Sequence, residues 1–299
     1  MNMKLSGGMM VFLGAVFWSL NAPIVKFLEV DAILLCGLRA LIAGLSLCGF
    51  IRPKQLRWNG WMLLYLCCYC CLGLSVIFSL TMTSSAVAIG MQYTAIIWLF
   101  IINCIKSKSF DMRSFIPVCV VFAGVLFFMA SGSGETSVMG QLLTLSEGIF
   151  FAGLTISSKK AAGTNPLGLT AVGNLVTGVV LLTAFPNAGA SIAALSGLDW
   201  ALMIILGVVQ IGCGYAFYNL GVQKISAQKA SLLSLWEMLL GPLWVALFLG
   251  EYPSTPVLIG FVIIIIGILL DVKLSQKAPE KSEAEVSAHH EASVSTVSC

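Results

Sequence analysis

The stretch LIGFVIIIIGILL, Leu258 to Leu270, contains no charged side chain and no polar group that would favour water over hydrocarbon. Extended to 254–272 it is long enough to cross a bilayer, since a helix rising about 1.5 Å per residue needs roughly 20 mostly apolar residues to cover about 30 Å of hydrocarbon. Working outward from it, runs of the same kind fall at 8–28, 31–50, 60–80, 84–104, 115–131, 138–158, 167–185, 199–220 and 229–249, separated by short polar or Gly/Pro-containing connections. Across its 299 residues the chain is 59% hydrophobic and only 10% charged, which excludes a water-soluble globular domain. The expected fold is all-α and integral to the membrane, with ten transmembrane helices. No cleavable leader is expected, because the first apolar run is itself long enough to span and has no small-residue cleavage site. From Ser275 the sequence becomes rich in Ser, Ala, Glu and Lys without an apolar period, a composition that predicts a disordered tail.

Placing every Lys and Arg orients the bundle. Lys4 precedes helix 1, Arg52, Lys54 and Arg57 join helices 2 and 3, and Lys106, Lys108 and Arg113 join 4 and 5. Lys159 and Lys160 join 6 and 7, Lys224 and Lys229 flank the 8–9 turn, and Lys273, Lys277 and Lys281 follow helix 10. The alternate connections hold acids: Glu29 and Asp31, Glu135, Asp199 and Glu251. Basic loops stay in the cytoplasm, so both termini are expected there, in an inner (plasma) membrane. An even number of spans requires the same.

A spacing repeats as well. Phe17-Trp18-Ser19 through Lys26 corresponds to Phe150-Phe151-Ala152 through Lys159, and Ala123-Gly124-Val125-Leu126 to Ile266-Gly267-Ile268-Leu269. Two five-helix halves follow, over residues 1–136 and 137–273, with 274–299 as the cytoplasmic tail. Because five is odd, the second half enters the membrane inverted, which is the architecture of carriers that work by alternating access about a midplane site.

Of the ten cysteines, nine lie in or beside apolar helices and read as small packing residues. The run Cys67-Cys68-Tyr69-Cys70-Cys71 points around a helix axis rather than toward one centre, and both histidines, His289 and His290, fall in the tail, so no metal is expected. No cofactor is expected either.

Ionisable groups deep in a span are functional candidates by default, since placing one at the bilayer centre costs at least about 2.5–3.5 kcal/mol. Four are present: Lys26, Arg39, Glu147 and Glu237. Lys26 is near the outer end of helix 1, where it is able to snorkel toward water, whereas Arg39 needs an acid, a carbonyl or an anionic solute. Glu147, Glu237 and Lys26 are the coupling candidates, because a carboxylate removed from water is suited to exchanging its charge for a proton. The plainer alternative is a glutamate that only joins helices, for example Glu237 paired with Arg39. Trp18, Asn21, Gln92, Tyr93, Asn174, Gln210, Tyr215 and Trp236 complete the expected substrate-binding set with Arg39 and Glu237, since aromatic walls with a few convergent polar groups suit a small amphipathic or zwitterionic solute. Gly212 and Gly214 are read either as close-packing positions or as a flexible point.

GAVFWSLNAPIVK (Gly14 to Lys26), Arg39 followed by small residues, MQYTAIIWLF in helix 4, and KISAQKASLLSLWEMLLGPLWVALFLGE (Lys224 to Glu251) leading into Leu258–Leu270 form an ordered set. Together these stretches resemble the drug/metabolite transporter superfamily, and within it the EamA-type ten-helix members. The similarity covers about residues 7–272. Members usually carry a proline after the Gln-Tyr-Thr-Ala stretch and another after the buried Glu, where this chain has Ile96 and Met238. The resemblance implies a carrier that exports amino acids or related metabolites, takes up metabolites, or moves nucleotide sugars, with a small molecule and the lipid bilayer as partners.

A secondary transporter of a small metabolite, with protons as the candidate coupling ion, is therefore expected rather than an enzyme. No GxxxxGK[ST], HExxH or GxSxG segment is present to support ATP-driven or intramembrane catalytic chemistry. A channel or lipid flippase is the alternative. Nucleic acid is not an expected partner, and the chain is expected to be a monomer or homodimer.

Overall fold

The computed structural model describes residues 5–130, 138–225 and 227–275, and no strand occurs among them. Glu135, the side chain of Lys229 and the tail with His289 and His290 lie outside the described residues. The first span is two helices, α1 (Gly7–Ser19) and α2 (Asn21–Phe27), joined at Leu20 just ahead of Pro23. Next come α3 (Ala32–Leu47), α4 (Gly60–Met82), and a second broken span made of α5 (Ser85–Gln92) and α6 (Ala95–Ser107). α7 (Met112–Ala130), α8 (Val138–Ala161), α9 (Pro166–Ala184) and the short α10 (Ala188–Ala193) follow. The chain continues through α11 (Gly197–Ile204), a π-helical segment over Ile205–Cys213, α12 (Gly214–Val222), α13 (Ala227–Leu249) and α14 (Thr255–Ser275).

Among the described residues, seven helical stretches are long and apolar enough to cross a membrane: Gly7–Phe27, Ala32–Phe50, Gly60–Met82, Ser85–Ser107, Pro166–Ala184, Gly197–Val222 and Thr255–Leu274. Met112–Phe127 and Leu233–Leu249 are shorter apolar stretches. α8 is 24 residues long and carries Glu147, several hydroxyls and two lysines in its last turn. The protein is thus a multi-pass membrane protein, and large apolar side chains such as Leu63, Ile105, Leu247 and Phe248 face outward.

Helix starts are set locally. Ser6, Asp31, Asn59, Ser84 and Asn165 each accept a backbone N–H of the following first turn through the side chain, and Ser196 with Asp199 forms a reciprocal box ahead of α11. Where no water is available to satisfy these N–H groups, such caps matter more.

Packing crosses the chain. α3 lies along α9, α4 along α8, α7 along α14, and α1 against α12 and α13, while α5 touches α8 and α13. The α3–α9 crossing is close enough that a Cβ on Gly178 would sit 2.6 Å from the Leu41 backbone nitrogen. Without a hydrophobic drive between helices in lipid, such near approach supplies dispersion contact in its place. The two missing family prolines have unequal outcomes. The second broken span breaks at Tyr93-Thr94 without a proline, because the Thr94 hydroxyl donates to the Met91 carbonyl at 2.7 Å and tight-turn bonds run from Tyr93 N–H to Gly90 O and from Thr94 N–H to Met91 O. α13, by contrast, runs through Met238 as one helix and contains Pro242 further on.

Candidate functional site

A cavity of about 530 Å³ lies between the helices, and every residue of the expected substrate-binding set except Trp236 lines it. Trp18 comes from α1, Asn21 from the start of α2, Arg39 from α3 and Gln92 from the end of α5, with Tyr93 at the break that follows. Asn174 is contributed by α9, Gln210 by the π-helical segment, Tyr215 by α12 and Glu237 by α13. The helix break and the π-segment are thus both at the cavity, where irregular backbone is tolerated because it is not exposed to lipid.

Arg39 is buried, and its Nη1 donates to Asn21 Oδ1 at 2.5 Å while its Nε has no partner among the described residues. Its nearest fixed partner is a neutral amide rather than an acid. Glu237 makes no hydrogen bond or ion pair to a described residue, so the Glu237–Arg39 pairing considered from the sequence does not form. The cavity therefore presents one guanidinium and one carboxylate, neither neutralised by the other. Gln210 Oε1 and Asn174 Oδ1 are buried and have no partner among the described residues, whereas Asn174 Nδ2 donates to Tyr69 Oη at 2.6 Å and to Thr170 O at 2.9 Å.

Aromatic rings form the walls. Trp18 lies 5.0 Å from Tyr215 and 4.8 Å from Tyr218 between ring centroids, a cluster that needs Gly214 beneath it, since a Cβ there would be 2.5 Å from the indole. The rings of Tyr65 and Tyr69 lie 5.5 Å apart on α4, tilted by 40°, and also line the cavity. These two were hidden in the sequence, Tyr65 just ahead of the cysteine-rich run and Tyr69 inside it, although their spacing of four places them on one helix face and was the available signal. Lys159, read as a loop charge, is exposed at the end of α8 and lines the cavity together with Ser158, Ala162 and Pro166, which marks this end as the mouth.

Three candidates are elsewhere. Trp236 is 43% exposed and meets Phe12 edge-on at 5.6 Å, facing away from the cavity that its neighbour Glu237 lines, because consecutive helical residues diverge by about 100°. Glu147 is fully buried between α8 and α4, where Ser79 Oγ donates to Oε1 and Oε2 has no partner among the described residues. Lys26 is at the end of α2, paired with Glu251 rather than directed into the cavity.

A bundle of apolar helices around a polar, aromatic-walled cavity defines a polytopic membrane protein with room for a small solute. Residues 138–272 match the EamA-like transporter family. The chain is 25% identical over 291 residues to Uncharacterized transporter YwfM of Bacillus subtilis (strain 168), covering 93% of this chain and 96% of that protein. It is 32% identical over 72 residues to the permease-like protein YdzE of the same organism, covering 24% of this chain and 92% of YdzE. A solved crystal structure shares the fold at a TM-score of 0.62 and 16% identity, over 91% of this chain and 98% of that one. The chain belongs to the EamA-like transporter family and is a transporter.

Proposed function

We propose that this protein is a secondary carrier that moves a small zwitterionic metabolite, an amino acid or a close relative, across the inner membrane by alternating access. The observation that carries the reading is the presence in one cavity of Arg39 and Glu237 with no ion pair between them. Opposite charges left unneutralised in a low-dielectric site are costly, and a solute bearing both a carboxylate and an ammonium satisfies both at once. Trp18, Tyr69, Tyr93 and Tyr215 then supply the apolar walls, and the free ends of Asn174 and Gln210 supply acceptors.

The carrier comprises ten spans, with α7, α8 and α13 crossing beside the seven long apolar stretches, arranged as inverted halves over 1–136 and 137–273. The packing supports it. Under a five-helix repeat, the second span (α3) corresponds to the seventh (α9) and the fifth (α7) to the tenth (α14), and each of these is packed on its own counterpart. The third-with-sixth contact (α4 with α8) maps onto the eighth-with-first (α12 with α1), so the pairings obey a two-fold relation. Both termini face the cytoplasm, as the basic loops require, and Lys159 then puts the cavity mouth on the cytoplasmic side.

Protons are the coupling ion, and Glu237, half-buried, is the carboxylate better placed to carry them, since of Glu147 and Glu237 it is the one that lines the cavity. Melting of the purified protein in detergent against amino acids, amines, nucleosides and sugars tests the reading, because a ligand selective for the folded state adds about 2.7 kcal/mol at 100 times its Kd. Stabilisation by a zwitterion that is lost in both Arg39→Ala and Glu237→Gln is the expected result. Stabilisation only by neutral sugars or flat cations, with Arg39 dispensable, would sink the assignment. Unchanged pH dependence of transport in Glu237→Gln and Glu147→Gln would dismiss the coupling.

A further inference from the structure

We infer that Lys26, Glu251 and the Thr83–Ser85 turn form a latch that seals the cavity at the end opposite Lys159, and that it must part for the carrier to open on that side. This rests on the alternating-access reading above. Lys26 Nζ bonds Glu251 Oε2 at 2.7 Å and donates to the Thr83 carbonyl at 2.9 Å, while Glu251 Oε1 accepts from the Ser85 N–H at 3.1 Å. Four bonding groups from three places thereby meet: the end of α2, the turn between α4 and α5, and the segment just after α13. The first two belong to the first half of the chain and the last to the second.

Position and exposure set this ion pair apart from a surface one. Lys26 follows Asn21, a cavity residue, by little more than one helical turn, roughly 7 Å of rise. Its side chain is only 14% exposed and that of Glu251 31%. Further inward, Trp244 Nε1 of α13 donates to Ser19 Oγ at the α1–α2 break at 3.0 Å, fastening the first span to the α13 span a second time. Separating two charges that share so little water leaves both undersolvated unless water enters between them, so the pair opens only when that end of the bundle does. Each single partner left behind would draw water in and favour the open form.

Accessibility of a reporter cysteine tests this without knowledge of the solute. Val76 lines the cavity on α4, and Val76→Cys nearly preserves its volume. Labelling by a membrane-impermeant maleimide is measured from each face of the membrane separately, as the increment over the same protein with Val76 in place. In the otherwise unchanged chain the reporter should label from the Lys159 face and hardly at all from the Lys26 face. Glu251→Gln and Lys26→Met should each raise labelling from the Lys26 face several-fold and lower it from the other. The double variant should match either single one rather than their product, as expected of a pair acting as one unit. Glu251→Asp, which keeps the charge but shortens the reach, should fall between. Unaltered labelling from the Lys26 face in Glu251→Gln, Lys26→Met and Glu251→Asp, with labelling from the Lys159 face intact, would overturn the latch and leave a static brace. A parent protein whose reporter labels from neither face would overturn the carrier reading itself, and the latch with it.

Discussion

Arg39 is held by an amide, and that choice has a consequence for its chemistry. Asn21 orients the guanidinium through Nη1 without cancelling its charge, so the remaining donors keep their full attraction for an anion. Replacing Arg39 by Lys retains the charge but gives up the fork geometry, and is expected to weaken ligand-induced stabilisation at least tenfold in apparent Kd, read from melting curves at graded ligand concentration. Tyr69→Phe removes the acceptor of Asn174 Nδ2 and should cost about 1 kcal/mol of stability, seen as a lower melting temperature without ligand. Gly214→Ala drives a methyl group against Trp18 and should cost about 1–3 kcal/mol. Most of the polar site was legible because a charged or amide side chain in an apolar run has few explanations other than a cavity. What could not be read was direction around the helix. Trp236 and Glu237 are adjacent in sequence and diverge in space, and Tyr65 and Tyr69 looked like ordinary filling of an aromatic and cysteine-rich span.

Among the elements, the spans themselves were written plainly in hydropathy, and the helices fall within a few residues of where the apolar runs predict them. The breaks were less legible. Pro23 signals the α1–α2 break, but the α5–α6 break has no proline and depends on Thr94 bonding back to Met91. α10 and the π-helical form of Ile205–Cys213 left no mark in the sequence beyond the glycines around Cys213. The two positions where the family resemblance implies proline now make unequal predictions. Ile96 is in the first turn of α6, where a proline costs least, and its N–H donates only to the Tyr93 carbonyl at 3.3 Å, so Ile96→Pro should lower stability by no more than about 1 kcal/mol, read as a small drop in melting temperature. Met238 is buried in the interior of α13, and Met238→Pro should cost about 3 kcal/mol or more and abolish a folded peak in size-exclusion chromatography. Equal behaviour of the two would mean that the break is not built as described.

For the molecule as a whole, orientation was read from charge and symmetry from spacing, and both admit a direct check. Gly49 and Gly189 are exposed, and a Cβ at either meets nothing within 4 Å, so cysteine is accommodated at each. In intact cells an impermeant thiol reagent should label Gly189→Cys and leave Gly49→Cys untouched until the membrane is opened. Labelling of both from the same face would refute the topology.

The pairing of helices across the halves also bears on how the protein is made. Each early span finds its broadest contact with a late one: α3 with α9, α4 with α8, α7 with α14. During synthesis the leading helices therefore enter the bilayer before their mates have left the ribosome, with Arg39 and its amide tether not yet shielded by the later spans. That interval makes the nascent first half a target for membrane chaperones and proteases, and lets two separately expressed halves rescue one another only if both are produced together.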